Sequence, residues 1–431
     1  MKSLYHLFLA WLGSVIYRHP SKKIILIGIT GTKGKSSSIE ILNAILEAAG
    51  KKTALLSSIR VKVGEVSEKN RTDTTMPGRF YIQKFLRRAV QNKCTHAILE
   101  VTSQGVLQSR HRFLDFNVAA FLNLHPEHVE AHGSFESYRA AKVGFFRAVA
   151  QTRSAKQKIF VVNGVDDASS FFIAAVGQSG KIVQFTVADF IARILKGDKS
   201  FLGDWFQNEF NLEDAAFAAI LAEALGIQSS FIVRALSYFP GIPGRMEWVQ
   251  KTPFGLVVDY AHTPDSLRAV YKTLREQFKK SSEAEPDNKT PDSLPPFPIS
   301  SPRLICVLGS AGGGRDTWKR PEFGRIAAEY CDEIIITDED PYNEDPEKIM
   351  DEIESGISLN PKPSTLNPNF VLKRSVNRQK AIEIAIKDAT IGDVIVITGK
   401  GSEEWLHQAH GKKLPWSDRR TAEEALKNEE K

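Results

Sequence analysis

The chain of 431 residues is longer than one ordinary hydrophobic core supports, so we expect two domains. Hydrophobic residues make up 42% and charged residues 25%, which excludes a wholly disordered or fibrous protein, and a net charge of +6 without a long basic run does not indicate a nucleic-acid partner. Three widely spaced cysteines, Cys94, Cys306 and Cys331, predict neither a disulfide framework nor a cysteine zinc site and suit a reducing cytoplasm.

Residues 1–22 form the most membrane-like segment of the sequence, and we predict an apolar or amphipathic helix there. The run from residue 4 to residue 17 is apolar apart from His6 and Ser14, but it is shorter than the roughly 20 residues that a spanning helix needs. Two interpretations stay open. The helix packs on the next domain, or it lies at a membrane surface with Lys2 and Arg18 near headgroups.

Residues 23–242 alternate between strand, turn and helix, and we predict a first domain with these bounds. KIILIGI, THAILEVTS and NVAAFLNL read as buried strands, whereas SSIEILNAILEAAG and LEDAAFAAILAEALGI read as helices. This alternation predicts a mostly parallel sheet with helices on both faces.

Residues 243–431 repeat the pattern after PGIPGRMEWV, whose prolines and glycines indicate a domain junction. GLVVDYAHTPDSLRAVYKTLREQF, RLICVLGSAGGG, EIIITDEDP and DVIVITGKG predict a second α/β domain. Residues 279–302 interrupt it with a stretch rich in proline, serine and charge, which we predict to be a mobile surface insertion.

The turn after the first strand has the chemistry of a phosphate-binding loop. Its residues are Gly31, Thr32, Lys33, Gly34, Lys35 and Ser36. The two glycines allow backbone N–H groups to approach phosphate oxygens, the lysine before the serine reaches the β- and γ-phosphates, and the serine hydroxyl suits Mg²⁺. The spacing is shorter than the full GxxxxGK[ST] pattern, but the strand before it and the helix after it favour a nucleotide site.

Candidate metal ligands follow the next two strands. Glu100 ends one of them, at the sheet edge where ligands of parallel sheets collect. A second group follows the strand NVAAFLNL: His125, Glu127, His128, Glu130, His132 and Lys142. Carboxylates near a phosphate loop make a divalent-metal site credible, although clustering alone does not select one histidine.

A series of motifs in unbroken order, from Lys23 to Ala422, resembles the Mur ligases, most closely the MurE type. The motifs are GTKGKSS, TTMPG, EVTSQGVLQSR, EHVEAHGSFESYRAAK, NEFN, GIPGRMEWV, DYAHTPDSL, GGRD, DEDPYNEDP, TGKGSEEW and WSDRR. The resemblance implies an α/β protein with a central P-loop parallel-sheet ATPase domain, followed by a Rossmann-like C-terminal α/β domain.

The resemblance also implies a reaction. ATP phosphorylates the carboxylate of a muramoyl-dipeptide-type precursor, and the amine of an amino acid attacks the acyl-phosphate to give an amide, ADP and phosphate. By this analogy the catalytic residues are Lys35, Glu100, His128 and Lys142. Lys35 holds the phosphates, Ser36 and Glu100 bind one Mg²⁺, and His128 binds a second. Lys142 is carbamylated in this family, which converts an ammonium into a metal-binding carboxylate.

Further residues are assigned by the same resemblance. The expected ATP-binding residues outside the loop are Asn208, Asn211, Arg245, Asp259, Tyr260 and His262. The expected contacts to the muramoyl-peptide acceptor are Thr74, Thr75, Ser103, Gln104 and Arg110. The expected contacts to the incoming amino acid are Glu339, Asp340, Tyr342, Gly399 and Glu403.

Two departures from the family pattern bear on the substrates. The phosphate loop begins at Gly31, which leaves no room for the family's N-terminal uridine-nucleotide domain, so the acceptor is expected to be either UDP-linked or lipid-linked. The family's D-N-P-R element, which clamps the distal carboxylate of diaminopimelate, is replaced by the run Glu339 to Tyr342. An acidic pocket there predicts a cationic amino acid such as lysine or ornithine.

Other functions remain open at this stage. A folylpolyglutamate-type, poly-γ-glutamate-type or MurT-like ligase would keep the chemistry, although MurT-like chains usually carry a cysteine zinc ribbon, which this sequence lacks. A catalytically silent nucleotide-binding scaffold is the non-enzyme alternative. We expect a cytoplasmic monomer, in contact with the inner face of the membrane if the N-terminal helix binds there.

Overall fold

The computed structural model describes residues 2–72, 74–126, 132–154, 156–283, 302–314, 316–358 and 370–429. The chain divides into two compact units, Met1–Pro240 and Gly241–Lys431. Each unit has its own sheet and its own core, and each is described by itself.

Unit 1 is built on an eight-stranded sheet over its described residues. Its strands are β1 (Ile25–Thr30), β2 (Thr53–Leu56), β3 (Arg60–Val63), β4 (Val66–Lys69), β5 (His96–Glu100), β6 (Val118–Phe121), β7 (Ile159–Asn163) and β8 (Lys181–Phe185). They lie in the order β4-β3-β2-β5-β1-β6-β7-β8, with β3 and β4 as an antiparallel edge and the others parallel. The carboxyl ends of β5, β1 and β6 are therefore neighbours at one edge.

Helices cover both faces of this sheet. They are α1 (Lys2–Ile16), α2 (Lys35–Ala48), α3 (Arg79–Gln91), α4 (Ser103–Leu107), α5 (Phe135–Gln151), α6 (Ser169–Val176), α7 (Val187–Asp189), α8 (Glu209–Ala224) and α9 (Ser229–Ser237). Because strand side chains alternate, Ile27 joins the core under α2 and α8, whereas its neighbour Leu26 joins the core under α3 and α5. A short π-helical stretch (Phe190–Ile194) and 3-10 turns (Pro20–Lys23, Asp204–Gln207) complete the unit.

Unit 2 repeats the layered arrangement with a six-stranded sheet over its described residues. Its strands are β9 (Glu247–Gln250), β10 (Gly255–Val258), β11 (Leu304–Leu308), β12 (Glu333–Thr337), β13 (Val371–Ser375) and β14 (Val394–Ile397), with the hairpin β15 (Trp405–His407) and β16 (Lys413–Pro415) beside them. The order is β13-β12-β11-β14-β10-β9, and β9 alone is antiparallel within that sheet. Its helices are α10 (Pro264–Glu283), α11 (Lys319–Tyr330), α12 (Pro346–Ser358), α13 (Arg378–Asp388) and α14 (Asp418–Glu429), with a 3-10 turn at Ala409–Gly411. The predicted α/β class with parallel sheets is confirmed.

Two features differ from the sequence-based expectation. Helix α10 continues to Glu283, so the predicted insertion begins as helix, while residues 284–301 lie outside the described residues. Cys306 and Cys331 form a disulfide with a Cα–Cα distance of 6.1 Å, contrary to the expectation from their spacing. Cys306 lies in β11 and Cys331 lies two residues before β12 begins at Glu333. These two strands are parallel neighbours, which sequence separation cannot reveal.

Candidate active site

The phosphate loop joins the end of β1 to the start of α2. Gly34 caps α2 with a φ of 72°, and a Cβ at this position would overlap the Asp214 carboxylate and the Leu122 side chain. Glycine is therefore required at this point by both conformation and space. The first turn of α2 contains no acidic residue, so the partial positive charge of the helix N-terminus is not neutralised there.

Asn123, just after β6, holds the loop in place. Its Oδ1 accepts hydrogen bonds from the backbone N–H groups of Thr32 (3.1 Å) and Lys33 (2.9 Å). The Thr32 N–H also bonds to the Asn123 carbonyl at 3.0 Å, and the Thr32 hydroxyl accepts from the His125 N–H at 3.0 Å. Sequence analysis did not assign Asn123 a role, although its place at the end of a strand beside β1 was a usable signal.

Lys35, Ser36 and Glu100 meet at the carboxyl edge of the sheet. The Lys35 ammonium donates to the Thr32 carbonyl at 2.8 Å and lies 3.8 Å from Glu100 Oε1. The Ser36 hydroxyl donates to Glu100 Oε2 at 3.0 Å, and the Ser58 N–H donates to the same oxygen at 3.0 Å. Glu100 is only 4% exposed, and these contacts fix the position of its carboxyl group beside the loop.

Lys142 lies under the loop and not on the surface of its helix α5. It is 2% exposed, its Nζ donates to the Gly31 carbonyl at 2.6 Å, and it lies 4.6 Å from the centre of the Tyr138 ring. The Tyr138 hydroxyl in turn is 3.1 Å from Thr32 Oγ1. Lys142 is therefore buried against the backbone of the loop and is not an ordinary surface lysine.

Some of the predicted metal ligands lie among the described residues, and others lie outside them. Glu127, His128 and Glu130 are not described. Within the described ranges, no three histidine, cysteine or acidic side chains lie close enough together to hold a metal ion. The adjacent oxygens of Ser36 and Glu100 are the type that Mg²⁺ prefers, since Mg²⁺ takes few protein ligands and fills its shell with water and phosphate oxygens.

The predicted acceptor residues lie in two segments of unit 1. Thr74 is exposed and Thr75 is half-buried, in the loop between β4 and α3. Gln104 is exposed on α4, where Ser103 is buried and its hydroxyl lies 3.0 Å from His132 Nε2. Arg110 donates to the Met76 carbonyl and at 2.7 Å to Gln108 Oε1, and burial together with nearby Arg79 lowers its pKa.

The asparagines predicted near ATP flank the start of α8. Asn208 occupies the position before the first helical residue and is buried. Asn211 is also buried, and its amide donates to the Trp205 carbonyl at 2.7 Å. That contact fixes the turn that precedes the helix.

In unit 2, three of the four residues predicted to bind ATP, Arg245, Tyr260 and His262, are in side-chain contact, and Asp259 directly precedes Tyr260. The Arg245 guanidinium lies 4.0 Å from the centre of the Tyr260 ring, and the Tyr260 and His262 rings lie 4.4 Å apart. Asp259 accepts from the backbone N–H groups of Met246 and Ala261, both at 2.7 Å, and burial raises its pKa. The Tyr260 hydroxyl donates to Glu403 Oε1 at 3.1 Å, which links this group to the predicted amino-acid residues.

Four side chains of unit 2 form an acid–lysine cluster, in which Glu339, Asp340 and Lys400 are buried and Glu403 is partly exposed. The Lys400 ammonium, fully buried, donates to Asp340 Oδ2 at 2.8 Å and to Glu403 Oε2 at 2.6 Å. The other Asp340 oxygen accepts from the His407 N–H at 2.8 Å. Sequence analysis missed Lys400, although it lies within the quoted motif TGKGSEEW.

Glu339 is the uncompensated acid of this cluster. Its Oε2 has no hydrogen-bond partner among the described residues, and burial raises its pKa to about 7, against the opposing influence of Arg378 and Lys400. Gly399 has a φ of 108°, and a Cβ there would overlap that same oxygen. Only a glycine therefore allows the Glu339 carboxylate to pack this closely against the backbone.

Two further contacts shape this region. Arg378, which sequence analysis also missed, is fully buried and makes a bidentate pair with Asp418 at 2.8 Å. Tyr342, with a φ of 51°, stacks on His407 with 5.2 Å between ring centres. The aromatic pair thus flanks the backbone that holds Asp340.

Each of the two units matches a known protein-family model. Residues 29–211 match the Mur ligase middle domain, and residues 244–283 and 290–401 match the Mur ligase, glutamate ligase domain. A UDP-N-acetylmuramoyl-L-alanyl-D-glutamate--2,6-diaminopimelate ligase of Syntrophomonas wolfei is 34% identical over 98% of this chain and 82% of its own length.

Solved structures share the fold. A structure named as a UDP-N-acetylmuramoyl-L-alanyl-D-glutamate--2,6-diaminopimelate ligase has a TM-score of 0.58 at 24% identity and covers 95% of this chain and 79% of its own. A folylpolyglutamate synthase of Mycobacterium tuberculosis has a TM-score of 0.63 at 16% identity, with 92% of each chain covered. These identities establish a common fold and no more. The sequence relatives favour the cell-wall interpretation over the folylpolyglutamate one, and the chain belongs to the Mur ligase family of ATP-using, ADP-forming peptidoglycan-precursor ligases.

Proposed function

We propose that the protein transfers the γ-phosphate of ATP to the free carboxylate of a muramoyl-dipeptide-type acceptor and then joins that carboxyl group to an amino acid. The carboxylate oxygen forms a bond to the γ-phosphorus as ADP leaves. The amino group then attacks the acyl carbon, and phosphate leaves with the oxygen that came from the carboxylate. The observation that carries this proposal is the meeting of Lys35, Ser36 and Glu100 at the phosphate loop.

The proposed catalytic problem is electrostatic. A carboxylate and a triphosphate repel each other, so the site must supply positive charge before they can react. Lys35 supplies one charge, and the backbone N–H groups at the start of α2 supply partial charge. Mg²⁺, when bound, would neutralise the phosphate oxygens further, and Ser36 and Glu100 would hold it.

The remaining metal ligands are proposed from the family resemblance. His128 would serve a second Mg²⁺, and it lies outside the described residues. Lys142 would serve after carbamylation of its amine. Its burial against Gly31 places that amine beside the loop, where a carboxylate-like group would act on the same metal region.

For each substrate, we propose the same binding residues as those predicted from the sequence. ATP would be bound by the loop residues Gly31 to Ser36, by Asn208 and Asn211, and by Arg245, Asp259, Tyr260 and His262. The acceptor would be bound by Thr74, Thr75, Ser103, Gln104 and Arg110. The amino acid would be bound by Glu339, Asp340, Tyr342, Gly399 and Glu403.

The incoming amino acid is proposed to carry a distal ammonium group. Within the acid–lysine cluster, Lys400 neutralises part of the charge of Asp340 and Glu403, whereas Glu339 Oε2 has no hydrogen-bond partner among the described residues. Lysine or ornithine would supply that partner. Diaminopimelate, which the relative's name specifies, carries a distal ammonium as well, but its second carboxylate would be repelled by this cluster.

The acceptor is proposed to be either UDP-linked or lipid-linked, and the protein to work as a monomer in the cytoplasm at the inner face of the membrane. An assay of ADP release tests both substrates together. Each acceptor is offered with lysine, ornithine or diaminopimelate. We expect release only when acceptor and amino acid are both present, with lysine or ornithine preferred; preference for diaminopimelate would contradict the pocket assignment, and release without any amino acid would contradict the ligase reaction.

A further inference from the structure

Helix α1 has its apolar side chains on the outside. Its large exposed residues are Tyr5, Leu7, Phe8, Trp11, Val15 and Ile16, with exposed fractions from 36% to 61%. Its fully buried positions are the small residues Ala10, Gly13 and Ser14, while Leu9 and Leu12 are half-buried. A helix of a water-soluble domain usually has the opposite distribution, with its apolar stripe against the core.

The small inner face explains how α1 packs on α3. A Cβ at Gly13 would lie 3.6 Å from the Gln83 and Phe80 side chains, so the two helices approach closely at this point. Ser14 Oγ lies 2.7 Å from His19 Nδ1, which ties the helix to the turn that follows. Packing on α3 therefore explains the residues on the buried face of α1. It does not explain the exposed aromatic and aliphatic residues on the opposite face.

Basic residues follow this helix. Arg18 and His19 have φ values of 60° and 48°, and this left-handed pair turns the chain into the exposed residues Lys22 and Lys23. The helix itself carries no acidic residue. The combination of an aromatic and aliphatic face with adjacent cationic side chains is typical of helices that lie in the plane of a membrane interface.

A cavity of about 720 Å³ lies beside the outer face of α1 and is lined by both apolar and cationic side chains. Leu7 and Trp11 line it together with Phe113, which is 45% exposed at a φ of 59°. Its charged lining residues are the three cations Lys22, Arg112 and Arg153 and the single acid Asp115, so cations predominate. An amphiphile with an anionic headgroup is complementary to such a lining, because apolar walls and cationic side chains share one opening.

His111 supplies a second observation in the same cavity. It lines the cavity, is 5% exposed, and has no hydrogen-bond partner at either ring nitrogen among the described residues. Burial lowers its pKa to about 3, so the ring is neutral at physiological pH. A neutral, unpartnered imidazole is costly to bury, and a polar group entering the cavity would remove that cost.

We propose that the outer face of α1 and the cavity beside it dock on a bilayer surface that contains anionic lipid. Charge complementarity favours lipid over a second copy of this chain, since two copies meeting at this face would bring Lys22 and Arg112 against the same cationic residues. Among the described residues, no helix has the length and apolar content needed to cross a bilayer, so α1 is proposed to lie at the surface. This inference concerns the location given in the proposed function and not the ligase reaction.

Vesicle flotation of the full chain, tagged at its C-terminus, tests the proposal. The probes are vesicles of phosphatidylcholine alone and vesicles of phosphatidylcholine with phosphatidylglycerol. We expect binding to the anionic vesicles, weakened by salt. Replacing Phe8→Ser and Trp11→Ser together should reduce binding at least about tenfold, since each removes a large apolar side chain from the interface.

A second variant, Lys22→Gln with Arg112→Gln, should reduce binding to anionic vesicles by about thirtyfold, the equivalent of roughly 1 kcal/mol for each cation. Matched controls change exposed residues elsewhere: Tyr238→Ser with Ile391→Ser for the apolar variant, and Lys196→Gln with Lys199→Gln for the charge variant. The controls should bind as the unchanged protein does. All variants should keep the thermal unfolding temperature and the ADP release measured with soluble acceptor.

Several outcomes would overturn the proposal. These are no binding to anionic vesicles, equal binding to neutral vesicles, equal loss in the controls, or a concentration-dependent dimer that the Phe8 and Trp11 changes dissociate. The last outcome would assign the face to a second copy. Because ADP release with soluble acceptor is measured separately, failure of membrane docking is distinguished from failure of the ligase proposal.

Discussion

The phosphate loop of unit 1 and the acid–lysine cluster of unit 2 position charged groups in different ways. The loop is held mainly by neutral hydrogen bonds from backbone N–H groups to Asn123 and by a glycine at a positive φ. The cluster is held by ion pairs around the buried ammonium of Lys400.

This difference has a consequence for stability. Removing a cation from the loop should leave a conformation that other contacts already fix. Removing the cation from the cluster leaves the buried carboxylate of Asp340 without its ion-pair partner, which is far more costly than the pair itself is favourable. Mutations in the two regions should therefore separate loss of activity from loss of stability.

Lys400→Met is expected to have the largest effect. Asp340 and Glu403 would lose their shared cation beside Glu339, so unit 2 should lose roughly 3 to 5 kcal/mol of unfolding free energy. Urea unfolding measures this. The exposed pair of Arg325 and Glu322 provides the control, and Arg325→Met should cost no more than about 1 kcal/mol. Equal effects of the two changes would contradict the role given to Lys400.

Lys35→Met should abolish activity while sparing the fold. The loss of its charge at the phosphates should lower the rate of ADP release by a factor of about 10² to 10³. Unfolding free energy should change by only about 1 kcal/mol, because one hydrogen bond to Thr32 is lost while Glu100, 3.8 Å from the ammonium, keeps its hydrogen bonds from Ser36 and Ser58. Lys51→Met, at an exposed lysine of the same unit, should change neither quantity. If Lys35→Met unfolded the protein, the proposed difference would be contradicted, namely that mutation of the loop removes activity and mutation of the cluster removes stability.

Glu339→Gln should change the pH dependence of stability. The pKa of Glu339 in the folded state is about 7 against an ordinary value of 4.5, so the folded protein binds more protons than the unfolded chain between these values. Stability therefore falls as pH rises from about 4.5 to about 7, by roughly 3 kcal/mol for this group.

The glutamine variant removes this titration. It should be more stable than the unchanged protein above pH 7, and the difference should shrink as pH falls toward 4.5. Unfolding curves across this range measure the effect, with Glu383→Gln, at a half-buried residue of α13, as the control. A difference that does not depend on pH would show that Glu339 is ionised in the folded protein.

Lys142→Arg should give the smallest of these effects, a loss of about 10- to 100-fold in ADP release, since arginine keeps the charge but cannot form a carbamate. Intact mass measured near neutral pH should show one added carbon dioxide on the unchanged protein and none on the variant. Full activity of Lys142→Arg would leave the lysine with the sole role of bonding to Gly31.

The fold could be predicted well from sequence because strands such as β1 and helices such as α2 carry their own periodicity. Lys35 and Ser36 could be predicted because the loop is a local motif between two such elements. The contact between Asp340 and Lys400 could not, since 60 residues separate them and only the order of β12, β11 and β14 brings their ends together.

The N-terminal helix illustrates a different limit. Its sequence shows a hydrophobic stretch, but not which side faces α3. The fully buried positions of the packed face are the small residues Ala10, Gly13 and Ser14, whereas sequence patterns are read from large apolar residues.

The most direct test of the central claim, that ATP activates the acceptor carboxylate, follows the oxygen atoms of that carboxylate. The acceptor is prepared with heavy oxygen in its free carboxylate and incubated with ATP, Mg²⁺ and the preferred amino acid, and the released phosphate is analysed by mass spectrometry. We predict that each phosphate released carries one labelled oxygen, in proportion to the amide formed. Phosphate without label would mean that water attacks ATP, and it would contradict the proposed acyl-phosphate reaction.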